Sequence, residues 1–143
     1  RAGADVNKKG RGNDWTPLYN AAVQGQAKVA ALLIKLGARL NELTRTGDTP
    51  LIRAACNGHK DVVRLLLESA ADLDVQDNQG VSALICAIEH GHSEIALWLI
   101  ELLANPNLVT AKGNCAWSVA VEKDDALVLR SLQEYSAIRC ADQ

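Results

Sequence analysis

Cys56, Cys86, Cys115 and Cys140, with His59, His90 and His92, are the residues of this chain best suited to chemistry. Cys86 and His90 stand one helical turn apart, a spacing at which a thiolate and an imidazole can share a zinc ion. His92, however, lies beyond Gly91, where a helix is expected to break, and no fourth ligand is near in the sequence. No metal and no cofactor are therefore expected. Cys56 and His59 are close, yet nothing assembles a Cys–His or Ser–His–Asp arrangement around them. Glu122, Asp124 and Asp125 make a carboxylate cluster of the kind that is ordinarily solvated. The basic, Gly-rich run Lys8-Lys9-Gly10-Arg11-Gly12 matches neither dinucleotide nor P-loop spacing, and no strand precedes it. No enzyme is expected from these residues. None of the cysteines forms a C-x-x-C pair, and a 143-residue helical core does not need a disulfide framework. The prediction is small buried thiols in a reducing, intracellular setting, cytoplasmic or nuclear.

The elements that carry these residues are clearest in Thr49-Pro50-Leu51-Ile52-Arg53-Ala54-Ala55-Cys56-Asn57-Gly58-His59 and the run Val62 to Leu67. Thr49 can cap a helix, Pro50 suits its first position, and Gly58 ends it. A second helix follows, apolar on more than one face. The unit recurs every 33 residues: Thr16-Pro17-Leu18, Thr49-Pro50-Leu51, Ser82-Ala83-Leu84 and Cys115-Ala116-Trp117. Gly25, Gly58 and Gly91 share that period, as do His59 and His92, and Asn41, Asp74 and Asn107. Such self-similarity marks a solenoid whose units pack on their neighbours. At these motifs the sequence resembles the ankyrin-repeat family, with its T-P-L-H-x-A signature, over essentially the whole chain. The resemblance implies an all-α solenoid of helix-turn-helix units joined by β-hairpin loops, with about four repeats.

The expected boundaries form one domain over 1–143. Residues 1–7 read as the tail of a preceding repeat, so that the chain would be a segment of a longer array. Repeat one covers 8–41, repeat two 42–74, repeat three 75–107 and repeat four 108–139, with a short tail from 137. Helices are expected near 16–24 and 26–36 in repeat one, with Gly37 closing the second. The first tip is one residue longer than the others, which should move Gly12 into the place held by Gly47, Gly80 and Gly113. Pro106 should loosen the third-to-fourth connection. Repeat four exchanges Gly-His for Asp124-Asp125 and mixes polar residues into its second helix, as a C-terminal cap would. By register, Trp98 and Trp117 are core.

Apolar residues are 48% of the chain, yet Phe is absent and Ala, Leu, Val and Ile carry the total, which suits thin helices in close contact. No apolar run approaches the ~20 residues of a membrane span. Charge is uneven. Residues 1–64 hold eleven Lys and Arg against five Asp and Glu, whereas 65–143 hold four against twelve. Such a field can orient a charged partner.

The resemblance also implies where a partner would sit: a concave groove made by the tips and the exposed edge of the first helices. By register this selects Trp15, Asp48, Val81 and Asn114 on the tips, and Val23, Gln24, Asn57, Glu89, His90, Glu122 and Lys123 at the helix ends. Arg45 and Arg53 complete the middle of the groove. Trp15 is either an anchor for a partner or a cover for the front end. The implied function is non-catalytic binding of a protein or peptide, within a scaffold, adaptor or regulatory protein, as a monomer or a segment of a larger chain. Two alternatives are an acidic partner, nucleic acid or phosphoinositide on the basic front end, and a spacer within a longer array. Nucleic acid is the less favoured partner.

Overall fold

The computed structural model describes residues 5–141, with side chains placed over 5–135. Four successive units each supply a helix pair: α1 (Pro17–Gln24) with α2 (Ala27–Lys35), α3 (Pro50–Asn57) with α4 (Lys60–Glu68), α5 (Ala83–Glu89) with α6 (Ser93–Glu101), and α7 (Ala116–Glu122) with α8 (Ala126–Ala141). The hydroxyls of Thr16, Thr49 and Ser82 accept from the N–H three residues on, which starts α1, α3 and α5. Ala22, Ala54, Ala55, Ala87 and Ala120 are fully buried. These small side chains let the odd-numbered helices stack closely, so α1, α3 and α5 form one continuous layer. The even-numbered helices form the second layer, and Leu51, Ile52, Val63, Leu66, Ile85 and Leu99 fill the space between.

Three sets of polar bonds repeat with the chain. The Nε2–H of His59 donates to the Val23 carbonyl at 3.1 Å, and that of His92 to the Cys56 carbonyl at 3.1 Å, each reaching back one repeat. Asn41 Oδ1 accepts from Asp72 N–H, and Asp74 Oδ1 from Asn105 N–H, so this link survives beside Pro106. The tips join through Asn78 N–H to Thr46 O and Ala111 N–H to Gln79 O. No described residue lies in a regular strand. Each tip is a turn closed by one ladder-like bond, such as Thr44 N–H to Asp48 O at 3.0 Å. In the longer first tip the closing bond spans Gly10 to Trp15, and both Gly12 and Asp14 take positive φ.

Three expectations change at the C-terminal end. Trp117 is 42% exposed although Leu18, Leu51 and Leu84 at the same phase are buried. Each of α1, α3 and α5 has a later odd-numbered helix stacked on it, and among the described residues α7 has none. Trp98 is half-buried, with the Arg64 guanidinium 5.2 Å above its ring. Val121 and Leu127 are also well exposed, beside the exposed Glu122, Lys123, Arg130, Gln133 and Glu134, so the fourth unit shows the mixed surface expected of it. Finally, α8 runs to Ala141, through most of the stretch expected to be a tail. Residues 1–4 of the expected leading tail and the side chain of Cys140 lie outside the described residues.

Candidate functional site

The groove residues selected by register divide into two halves with different fates. In the front half they hold the repeats together. Asp48 is only 1% exposed, and its Oδ2 accepts from the Tyr19 hydroxyl at 2.6 Å and from Arg53 Nε and Nη2 at 2.9 and 2.7 Å. Burial, reinforced by the Asp48 carboxylate, pushes the Tyr19 phenol up to about 12. Burial works against the Arg53 charge, but Asp48 outweighs it and holds the guanidinium above its usual range. Asp48 is thus not an open contact on a tip, and Arg53 is spent on it. Asn57 Nδ2 donates to the Val23 carbonyl, the acceptor that His59 also uses. Gln24 donates to Asn20 Oδ1, and Arg45 lies 3.5 Å from Asp14. The half-buried Trp15 ring rests tilted on Tyr19 at 5.0 Å. At the basic front end, Lys9 donates to the Leu43 carbonyl and sits near Glu42.

In the rear half the same register positions converge on a cleft. Val81, Glu89, Asn114, Glu122 and Lys123 line a cavity of about 380 Å³ between the third and fourth units, together with Ile85, Val119, Gln79, Thr110 and Lys112. The tips fix one wall: Val81 N–H donates to Asp77 Oδ1 and Asn114 N–H to Thr110 Oγ1. The ends of α5 and α7 make the other. Ile85 and Val119 form an apolar floor, both buried. Glu89, Glu122, Lys112 and Lys123 stand exposed on the rim and form no ion pair among the described residues.

His90 lies beside this cleft, with Nδ1 2.9 Å from the Cys86 carbonyl. The structure bonds Cys56 to Cys86 as a disulfide, their Cα atoms 4.9 Å apart, where the sequence predicts two separate thiols. The Cα separation lies in the usual range for a bridge. The bridge also removes these cysteines from the argument for a reducing compartment. Cys115 stays free and half-buried, its thiol held low by the Ser118 backbone N–H at the start of α7. Cys56, Cys86 and His90 offer ligand atoms within 4.8 Å of one another. His92, the third member of the trio suggested by the sequence, is instead committed to the Cys56 carbonyl.

Each unit thus has two helices, a closing tip and, in the second and third, a histidine that reaches back one repeat. The family model described as ankyrin repeats (3 copies) matches residues 2–77 and 40–110. The chain belongs to the ankyrin-repeat family. None of the curated proteins matches it. Ankyrin repeats are generally protein–protein interaction modules and generally non-catalytic. No helix among the described residues is long and apolar enough to cross a membrane.

Within the ankyrin array, sequence reasoning missed Tyr19, Lys112 and the Cys56–Cys86 pairing. Lys112 was reachable, since it shares the phase of Thr46 and Gln79, the residues that link one tip to the next. The pairing had a fainter signal. Cys86 falls 30 residues after Cys56, one helical turn short of the full period, so the repeat register by itself does not pair them.

Proposed function

We propose that this ankyrin array binds a protein or peptide segment in the cleft between its third and fourth units, without chemistry of its own. The observation that carries this reading is the convergence of Val81, Glu89, Asn114, Glu122 and Lys123 on one cavity with an apolar floor and an unpaired charged rim. A volume of about 380 Å³ takes one or two side chains, not a folded domain. The fitting ligand is an extended segment that seats an apolar side chain on Ile85 and Val119. Its neighbours would carry charges of both signs to meet Glu89, Glu122 and Lys123 at the helix ends and Lys112 on the tip. Held on stacked repeats, these groups lose little freedom on binding. In the front half Asp48, Arg53 and Asn57 are already committed, so they support the groove rather than touch the ligand.

The test is site-specific photo-crosslinking in lysate, with the reactive residue placed in turn at Val81, at Arg45 and at Lys28 on the opposite layer. The expected result is a discrete adduct from position 81, lost when Glu89 and Glu122 are both changed to Lys. Adducts from position 45 or 28 with none from 81 would overturn the assignment.

A further inference from the structure

We propose that Cys56 and Cys86, once reduced, form with His90 a three-ligand site for a soft divalent cation, Zn²⁺ foremost, whose fourth position is open to water. The three side chains come from two successive repeats, and their ligand atoms already lie within 4.8 Å of one another. Bond lengths of about 2.0–2.3 Å in a tetrahedral zinc centre place ligand atoms roughly 3.5–3.8 Å apart, so side-chain rotation suffices to close the site. The backbone is in place, with the two cysteine Cα atoms 4.9 Å apart on the stacked helices α3 and α5.

For His90 to make the third bond, Nε2 is the nitrogen that must meet the ion. A carbonyl oxygen can only accept, so the 2.9 Å contact with Cys86 O places a proton on Nδ1 and leaves the lone pair on Nε2. Anchoring one imidazole nitrogen to a carbonyl is how metal-bound histidines are usually oriented. Both sulfurs are buried while His90 is exposed on the groove side, which gives a dry thiolate pair with an approach from solvent. Two thiolates and an imidazole select Zn²⁺ over Mg²⁺ or Ca²⁺, which prefer oxygen donors.

The disulfide and the ion compete for the same two sulfurs. A dithiol reductant gives two electrons and two protons to the S–S bond, leaving two thiols and becoming a cyclic disulfide itself. Zn²⁺ then displaces the two thiol protons. A small disulfide oxidant, RSSR, reverses this: it takes two electrons from the thiolates, leaves as two RSH after taking up two protons, and releases the ion.

Co²⁺ is the probe, because tetrahedral thiolate coordination gives it visible d–d bands and an ultraviolet charge-transfer band. The full chain carrying Cys115→Ser and Cys140→Ser is reduced, freed of reductant and titrated without oxygen. One Co²⁺ per chain with both bands is expected, displaced by one Zn²⁺, and none should bind to the disulfide form. In the same background His90→Ala should weaken binding at least ~10-fold and shift the visible bands. Because His90 is exposed, that variant tests the site even if replacing Cys56 or Cys86 unfolds the chain. Absence of charge-transfer absorption in the reduced chain, or binding that is indifferent to His90→Ala, would overturn the proposal.

Discussion

One carboxylate oxygen, Asp48 Oδ2, accepts three hydrogen bonds and joins the first repeat to the second through Tyr19 and Arg53. Tyr19 makes this junction sensitive to alkali, because the fold favours the neutral phenol. Its pKa of about 12 in the fold stands above the ordinary 10, so the stabilisation is complete below pH 10 and is lost as pH rises through about 12. Tyr19→Phe should cost about 1.5–3 kcal/mol at neutral pH, the range for a hydrogen bond to a charged group. Denaturant midpoints for parent and variant should then converge between pH 10 and 12, and parallel curves would contradict this account. The sequence showed that position 48 belongs to a tip, because its phase is plain. Its burial depends on Tyr19, a residue of another repeat that stands where the T-P-L-H-x-A signature has His. Register locates a residue along the solenoid but does not say which side chain of the neighbouring repeat covers it.

At the scale of the element, the repeating Gly-His pair reveals a lock between units. A Cβ added to Gly58 would lie 2.5–2.9 Å from the His92 ring, and one on Gly25 would meet His59 as closely. The glycine therefore serves twice, taking positive φ at the end of α3 and leaving room for the imidazole of the following repeat. Gly91 has a similar φ of 78° but nothing within 4 Å, since Asp125 stands where the next histidine would be. Gly91→Ala should cost only the left-handed penalty, about 1–2 kcal/mol. Gly58→Ala should cost on the order of 1 kcal/mol more, as the ring is displaced from the Cys56 carbonyl. Equal losses in urea unfolding would mean that the imidazole bond contributes nothing. The period, the caps and the helix pairs were all legible in the sequence, because each rests on contacts with a fixed residue type. The exposed face of Trp117 was not, since a phase match assumes a following neighbour that α7 lacks among the described residues.

Over the whole molecule, the repeats are not equally fastened. The first and second junctions each carry a histidine bond, the first adds the Asp48 network, and the second adds the Cys56–Cys86 bridge. The third junction has Ser93 donating to Asp125, Gln76 Nε2 donating to the Val109 carbonyl and the tip bond from Ala111, with neither a histidine bond nor a covalent tie among the described residues. In a solenoid, stability is a sum over units and their interfaces, so local opening should begin where the interface is weakest. Amide exchange is expected to be slowest in α3 and α5 and faster in α7, and slower exchange in α7 than in α3 would refute this ranking. The proposed cleft lies at that third junction, so a ligand held there should slow α7 in particular.

The Cys56–Cys86 bridge also has a mechanical consequence. A chain drawn out by its two ends lengthens by about 3.3–3.6 Å for each residue released. A covalent tie across a separation of 30 residues withholds that segment from the extension, roughly 100 Å of length. While the bond is closed, α4 and the third tip stay inside a loop that carries no tension, even after the outer repeats have been drawn straight. Cutting that one bond hands the load to the loop, so the reach of the array under force is set by the oxidation state of two sulfur atoms.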